Sequence, residues 1–426
     1  MKKLLWTLAA LLGFVILGLA IFLVTFDADR YRPLILRKLE EAIGRPVQLD
    51  RVSLGLRQGI ALELKGLAVF DDPTAAGEPA LRMDAASAVV RLAPLLSKRV
   101  EVSSVMLLHP QIRIFRDAQG QVSLFGLAAA ASPAAASQQR APEDETAVSF
   151  AVDSVRIENG SLHWTDAASH PPADLWLKRL SVTARNIAPG QPLDLELSGA
   201  LGGDVPNLRL SGRLTPPAAS HPGSLDRLEL SVTRLPLKAV APPVAADAPQ
   251  LQGLLTLAFE GAVPTLEPSA ALRTATGSGR VELTEAVVVN LNILREVFNR
   301  LAMIPGLVET LQARLPADYQ AKFDAKNTVL APIDLPVTVD GGALRFTNLE
   351  IRTETLSILG LGTIGLDGTV NVPSRLRIEP AFSEAIIRSV NELQALANAK
   401  GELEIPGTIQ GRLPHITFVP DVKYVA

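Results

Sequence analysis

The chain has 426 residues, with 41 Lys and Arg against 44 Asp and Glu and a formal net charge of −3, so its bulk electrostatics argue against a nucleic-acid partner. It has no cysteine, which excludes disulfides, thiolate metal sites and cysteine nucleophiles, and five histidines leave little material for metal or acid–base chemistry. Hydrophobic residues make up 48% but aromatic ones only 4%, so the apolar content is aliphatic and suits extended surface better than aromatic-anchored pockets.

At the N-terminus, "MKKLLWTLAALLGFVILGLAIFLVTFDADR" places Lys2 and Lys3 before an uncharged apolar run from Leu4 to Phe26. As a helix this run is roughly 35 Å long, enough to span a hydrocarbon core. Gly18 and Ala20 match a small-x-small cleavage site, but the apolar stretch is longer than that of a cleaved signal peptide. Residues 1–28 are therefore expected to form a transmembrane anchor. The lysines before the span and Asp27 and Asp29 after it put the N-terminus in the cytoplasm and the bulk outside. With no cysteine, the bacterial periplasm fits best.

After the anchor, "DADRYRPLILRKLEEAIGRPV" reads as a short amphipathic helix. Asp29 is its expected N-cap, Leu36, Leu39 and Ile43 share a face, and Gly44 with Pro46 ends it. From there the dominant period is two. Val52, Leu54 and Leu56 alternate with polar or small residues, as do Ile60, Leu62 and Leu64 before Gly66 shifts the register to Leu67 and Val69. Leu193, Leu195 and Leu197, then Leu208 and Leu210, then Leu228, Leu230 and Val232 repeat the pattern. One apolar and one polar face per strand predicts antiparallel sheet.

Asn159-Gly160 in "VRIENGSLHW" predicts a type I′ hairpin that pairs Ile157 with Leu162 and Val155 with Trp164. "FRDAQGQVSL" and "TVDGGALRF" are further hairpin candidates. "LAAAASPAAASQQRAPEDETA", residues 127–147, reads as a disordered linker between a helix-and-strand module at 29–126 and a longer β region at 148–426. Its Glu143, Asp144 and Glu145 read as a solvated charge run rather than a cation site. "KAVAPPVAADAPQ" is a second break. Helical periodicity returns at Leu294, Phe298 and Leu301 after the expected cap Asn290. It returns again at Ile386, Val390, Leu393 and Ala397 after Ser383, and both read as helices packed on the sheet.

No metalloprotease, nucleophile-elbow, P-loop or paired-cysteine motif occurs. Four of the five histidines adjoin proline, and His163 lies between Leu162 and Trp164 and so points to the polar side. No nucleophile, base and oxyanion donor come together, so the chain is expected not to be an enzyme and to need no cofactor or metal. "GLGTIG" carries Gly360, Gly362 and Gly365 in the dinucleotide-binding register, but that motif needs a helix directly after it. Instead the alternation continues to Val372. A loop of Leu366, Asp367 and Gly368, with Gly368 left-handed, pairs Ile364 with Val370 and Gly362 with Val372.

Two regions resemble the AsmA family. "FDADRYRPLILRKLEEAIGRPVQLDRVSLGLRQGIALELKGLAVFDDP" resembles its N-terminal module. "LRFTNLEIRTETLSILGLGTIGLDGTVNV" and "GELEIPGTIQGRLPHITFVPDV" resemble its C-terminal region. The resemblance implies an inner-membrane-anchored periplasmic protein, mainly β, built as an elongated curved antiparallel sheet with a few short amphipathic helices. It further implies that an apolar groove binds or conducts phospholipid, in support of outer-membrane lipid transport or homeostasis. The expected groove lining is Val52, Leu54, Leu56, Ile60, Leu62, Leu64, Leu195, Leu197, Leu208, Leu210, Leu228, Leu230, Leu356, Ile358, Ile364, Leu366, Val370 and Val372. Expected partners are phospholipid, the inner membrane, and an outer-membrane or periplasmic protein, with no nucleic acid. Alternation fits a closed β-sandwich equally well. The alternative function is a non-catalytic anchored scaffold that assists outer-membrane protein or envelope assembly.

Overall fold

The structure, a computed structural model, describes residues 27–56, 60–71, 77–91, 102–118, 122–123, 152–169, 172–188, 190–218, 221–241, 247–267, 269–300, 307–413 and 415–421. The expected anchor from Leu4 to Phe26 and the expected linker at 127–147 lie outside the described residues. Among the described residues no helix is long and apolar enough to cross a membrane. The chain forms two compact units, Met1–Ala200 and Leu201–Ala426.

The first unit opens on a 3-10 turn, Ala28–Tyr31, and helix α1, Arg32–Ile43. Gly44 ends the helix in the left-handed conformation, and its N–H donates to the Glu40 carbonyl. Asp29 is not the helix cap. Asp27 caps the preceding turn, and Asp29 accepts the Val52 N–H at 3.0 Å. Ile35, Leu36, Leu39 and Ile43 of α1 pack on Val47, Leu49, Val52, Leu67 and Val69.

Apart from Leu49, which links the first two strands, those residues belong to β1 (Val47–Gln48), β2 (Arg51–Leu56) and β3 (Ile60–Val69). β1 and β2 pair with β3, and β3 pairs with β4 (Leu81–Val90). β4 pairs antiparallel with β5 (Val102–Leu108) and β6 (Gln111–Arg116), two parts of one line broken at His109-Pro110. β6 turns back into β7 (Val122–Ser123), so the expected "FRDAQGQVSL" hairpin forms.

Two expectations fail at the next strand. β8 runs unbroken from Val152 to Asp166, so Asn159-Gly160 is not a hairpin turn. β8 also pairs parallel with both β5 and β6, which makes the sheet mixed rather than antiparallel. β9 (Ala173–Ile187) then pairs antiparallel with β8, and β10 (Leu193–Leu201) pairs with β9.

Asn159 has a different task. It is left-handed at φ 51°, and so are Gly66 on β3, His109 between β5 and β6, and Arg179 on β9. The register places these residues in one tier across the sheet. At that tier the apolar set changes parity in each strand, from Leu64 to Leu67, Leu107 to Ile112, Ile157 to Leu162, and Val182 to Leu177. A left-handed residue rotates a strand, and because neighbours rotate together the pairing survives with one side still apolar. Leu64 and Leu67 accordingly meet in one core cluster.

The second unit is an antiparallel meander. Its strands are β11 (Leu208–Thr215), β12 (Ser224–Pro236), β13 (Gln250–Val263), β14 (Thr276–Val289), β15 (Thr328–Val329), β16 (Ile333–Asp340), β17 (Ala343–Arg352), β18 (Leu356–Gly365), β19 (Thr369–Ile378), β20 (Leu403–Arg412) and β21 (His415–Pro420). Each pairs with the next, except that β15 and β16 both pair with β14. Gly341 and Gly342 form the two-residue β16–β17 turn with φ of 58° and 76°, a type I′ geometry that completes the hairpin expected in "TVDGGALRF". "GLGTIG" is strand β18, with Ile364 opposite Val370 and Gly368 left-handed at 89°, as the hairpin reading requires.

Short helices cover one end of this sheet. They are α2 (Ile293–Arg300), α3 (Leu307–Arg314), α4 (Ala317–Phe323), α5 (Pro380–Ser389) and a 3-10 turn, Asn391–Leu396. The α2 start is capped by Asn292, whose side-chain oxygen accepts the Arg295 N–H at 3.0 Å, rather than by Asn290. α5 begins three residues before Ser383, with Pro380 at its first turn and Glu379 capping the Phe382 N–H. Ser383 is instead fully buried, donating to the Ile378 carbonyl and accepting the Leu403 N–H, both at 2.9 Å.

Candidate functional site

The apolar face of each sheet is the feature that chemistry could use. In the second unit, direct cross-strand partners form a tier Leu208, Val232, Leu257, Val281, Leu335, and beside it Leu210, Leu230, Phe259, Gly279, Val337. Side chains on β11, β13 and β14 in these tiers are half-buried. From β16 onward the same face closes. Leu335, Val337, Phe346, Val370 and Val372 form a buried cluster drawn from strands alone, so this stretch is curled enough for one face to cover itself.

Further along β18–β20 the helices take over. Leu356, Ile358, Leu376, Ile378, Leu403 and Ile405 pack under Phe298, Leu311, Phe323, Phe382 and Ile386. Ile358 is 4% exposed. The expected lining residues thus fall into three environments. Leu356 and Ile358 lie in the helix-covered core. Val370 and Val372 lie in the self-closed part of the sheet, with Ile364 packed against it, while Leu366 sits half-buried at the β18–β19 turn. Leu195, Leu197, Leu208, Leu210 and Leu230 remain half-buried on strand faces, and Leu228 is buried beside them.

In the first unit, Val52 is buried beneath α1, with Leu54, Leu62 and Leu64 half-buried around it. Register places Leu54 opposite Leu62 and Val52 opposite Leu64, with Ile60 opposite Leu56 where β2 ends, so Val52, Leu54, Ile60, Leu62 and Leu64 share a face. That face continues through Ala88, Val105, Val155 and Ala184. Sequence reasoning missed β4, β5, β9, β13 and β14 as contributors. On β13 a left-handed Gly253 and the run Leu254-Leu255 break the alternation that marks the other strands.

Glycines shape the floor of the second unit's face. A Cβ on Gly277 falls 2.5 Å from Cζ of Phe259, and one on Gly261 falls 2.9 Å from the same ring. The Phe259 ring therefore lies flat across bare backbone, which a half-buried aromatic does to shield glycine in a sheet. Gly407 carries Phe418 in the same way, 2.5 Å from a built Cβ. At Gly360 a Cβ meets Val372 Cγ1 at 2.9 Å, so its missing side chain is filled by the neighbouring strand.

The opposite faces are polar and ion-paired. Arg280 donates twice to Asp334, at 2.8 and 2.6 Å, and Arg185 pairs with Glu196 at 2.7 Å. His163 does face this side. It stacks on Trp176 with ring centroids 3.9 Å apart and pairs with Asp174. His109 Nδ1 lies 2.7 Å from Asp84. Lys322 is raised above the ordinary lysine value by its hydrogen bond to Glu354. The Asp367 carboxyl is held below the usual range by the Thr369 N–H and hydroxyl and by Arg412. These are surface pairs worth little individually. Among the described residues no group of three or more His, Asp or Glu side chains is placed to hold a metal ion.

Comparison with curated proteins found no match. Residues 1–197 match the family model described as the AsmA family, which supports the resemblance read from the sequence.

Proposed function

We propose that this protein binds or conducts phospholipid along its apolar sheet faces, as an inner-membrane-anchored periplasmic protein supporting outer-membrane lipid transport or homeostasis. The observation that carries the reading is the half-buried aliphatic face over β11, β13 and β14. Aliphatic surface left in water is an aggregation hazard unless something binds there. The match of residues 1–197 to the AsmA family and a large β-sheet fit a lipid-transport or envelope-assembly role. No catalytic residue is needed, because each acyl methylene buried on such a face contributes about 0.8 kcal/mol.

Site-specific photocrosslinking tests this. A photoreactive residue at Leu197, Leu230 or Leu257 is expected to yield phospholipid adducts, and one at Arg280 on the polar side is not. Protein adducts at the apolar positions with no lipid would instead support an anchored assembly scaffold.

A further inference from the structure

Two edge strands, one in each unit, are treated differently. On β2 the outward groups are occupied. Asp29 takes the Val52 N–H at 3.0 Å, and Arg32 donates to the Asp50 carbonyl beside it at 2.7 Å. Capping by a helix or side chains is how sheets prevent edge-to-edge pairing. In the second unit, β21 pairs with β20 on one side, and among the described residues no strand pairs with its other side.

The hydrogen-bond parity of β21 follows from one bond. Asp421 donates to the Pro406 carbonyl at 2.9 Å, so in this antiparallel pair residues 415, 417, 419 and 421 face β20. Ile416 and Phe418 therefore aim their N–H and C=O groups outward, and Pro420 stands where no N–H is required. Ile416 also ends a tier of direct partners running through Leu344, Ile364, Val370 and Gly411. Ile364 has a neighbour on each side. Ile416 has none on its outer side among the described residues and is 48% exposed.

We propose that the outer edge of β21 pairs antiparallel with the same edge of a second copy of this chain. The strand is self-complementary about Thr417. Placing Thr417 opposite its own copy sets Ile416 against Phe418 of the partner copy, twice. Both members of each pair carry outward donors and acceptors, so each is a hydrogen-bonded pair, and both lie on the apolar side. No Lys, Arg, Asp or Glu occurs from His415 to Pro420, so the strand itself carries no charge to repel a second copy, whereas natural edges are commonly guarded by charge. Six residues make a short interface, so the association is weak and concentration-dependent. The inference does not rest on lipid binding.

The cysteine-free chain allows a direct test on the full protein in mild detergent. In the two-fold pairing the Thr417 Cα atoms form a non-hydrogen-bonded pair about 4.5 Å apart, within disulfide reach. Thr417→Cys is expected to give at least ten-fold more disulfide-linked dimer under mild oxidation than Gln410→Cys on the exposed side of β20. Adding Ile416→Pro, which removes an outward N–H and no internal bond, should return the yield to the Gln410→Cys level. Ile416→Lys, which leaves the backbone intact, should do the same with an unchanged melting temperature. Equal yields from Thr417→Cys and Gln410→Cys overturn the proposal. So does a dimer indifferent to both edge changes, or crosslinking of β21 only to a different protein.

Discussion

Gly360 shows why a residue pattern needs its neighbours before it has a meaning. With Gly362 and Gly365 it spells a nucleotide-binding motif, yet the position is a strand residue whose absent Cβ is occupied by Val372 Cγ1 at 2.9 Å and Ser374 Oγ at 3.2 Å. The glycine lets adjacent strands close up and leaves no ligand space. Gly360→Ala is therefore expected to lower stability by about 1–3 kcal/mol through overpacking, read by denaturant unfolding. A neutral result would mean the site is open. At the hairpin tip, Asp367 accepts from both the N–H and the hydroxyl of Thr369, at 3.0 and 2.7 Å. Its depressed pKa means the ordering of this turn is present above the ordinary aspartate value and is lost as pH falls through the lowered one. NMR of the Thr369 amide should show that acid titration, and Asp367→Asn should abolish it.

β8 makes the corresponding point for elements. Asn-Gly between alternating apolar residues is the strongest short-range hairpin signal, and the local pattern is self-consistent. The strand nevertheless continues, because Ile157 pairs with Leu107 on one side and Val182 on the other, while Leu162 pairs with Ile112 and Leu177. Two long neighbours outweigh one local turn, and the left-handed asparagine survives as a rotation in the strand. Asn tolerates that conformation better than a β-branched residue does. Asn159→Val is expected to cost about 1–2 kcal/mol, measured as a fall in unfolding free energy, whereas Asn159→Gly should be neutral or slightly stabilising. A stable Asn159→Val would argue against the left-handed geometry. Helix α1 was legible in outline, since Leu36, Leu39 and Ile43 do meet the sheet. Its cap was not, because Asp29 is used by Val52, a residue 23 positions away.

Across the whole molecule, equivalent-looking leucines and isoleucines divide into core and surface. Ile358 and Leu230 both sit on period-two strands, but Ile358 lies under α5 and its neighbours while Leu230 is half-buried on a strand face. Ile358→Asp buries an unpaired charge and should prevent the second unit from folding. Leu230→Asp should leave the circular dichroism spectrum and melting temperature near wild type yet deplete co-purified phospholipid in native mass spectrometry. Normal lipid recovery from a folded Leu230→Asp protein would count against the proposed face.

Period-two alternation, turn dipeptides and the spacing of apolar residues determined by themselves that the chain is mainly β, that α1 is a short amphipathic helix, and that "GLGTIG" turns into a hairpin. These are local consequences of side-chain direction and backbone preference, which a short stretch of chain carries within itself. Only the tertiary structure decided that β5, β6 and β8 run parallel, that four left-handed residues align in one tier, and which aliphatic positions stay on the surface. Each of these depends on partners distant in the sequence. An alternating strand states that it has an apolar side, and burial of that side is set by whatever the rest of the chain lays over it.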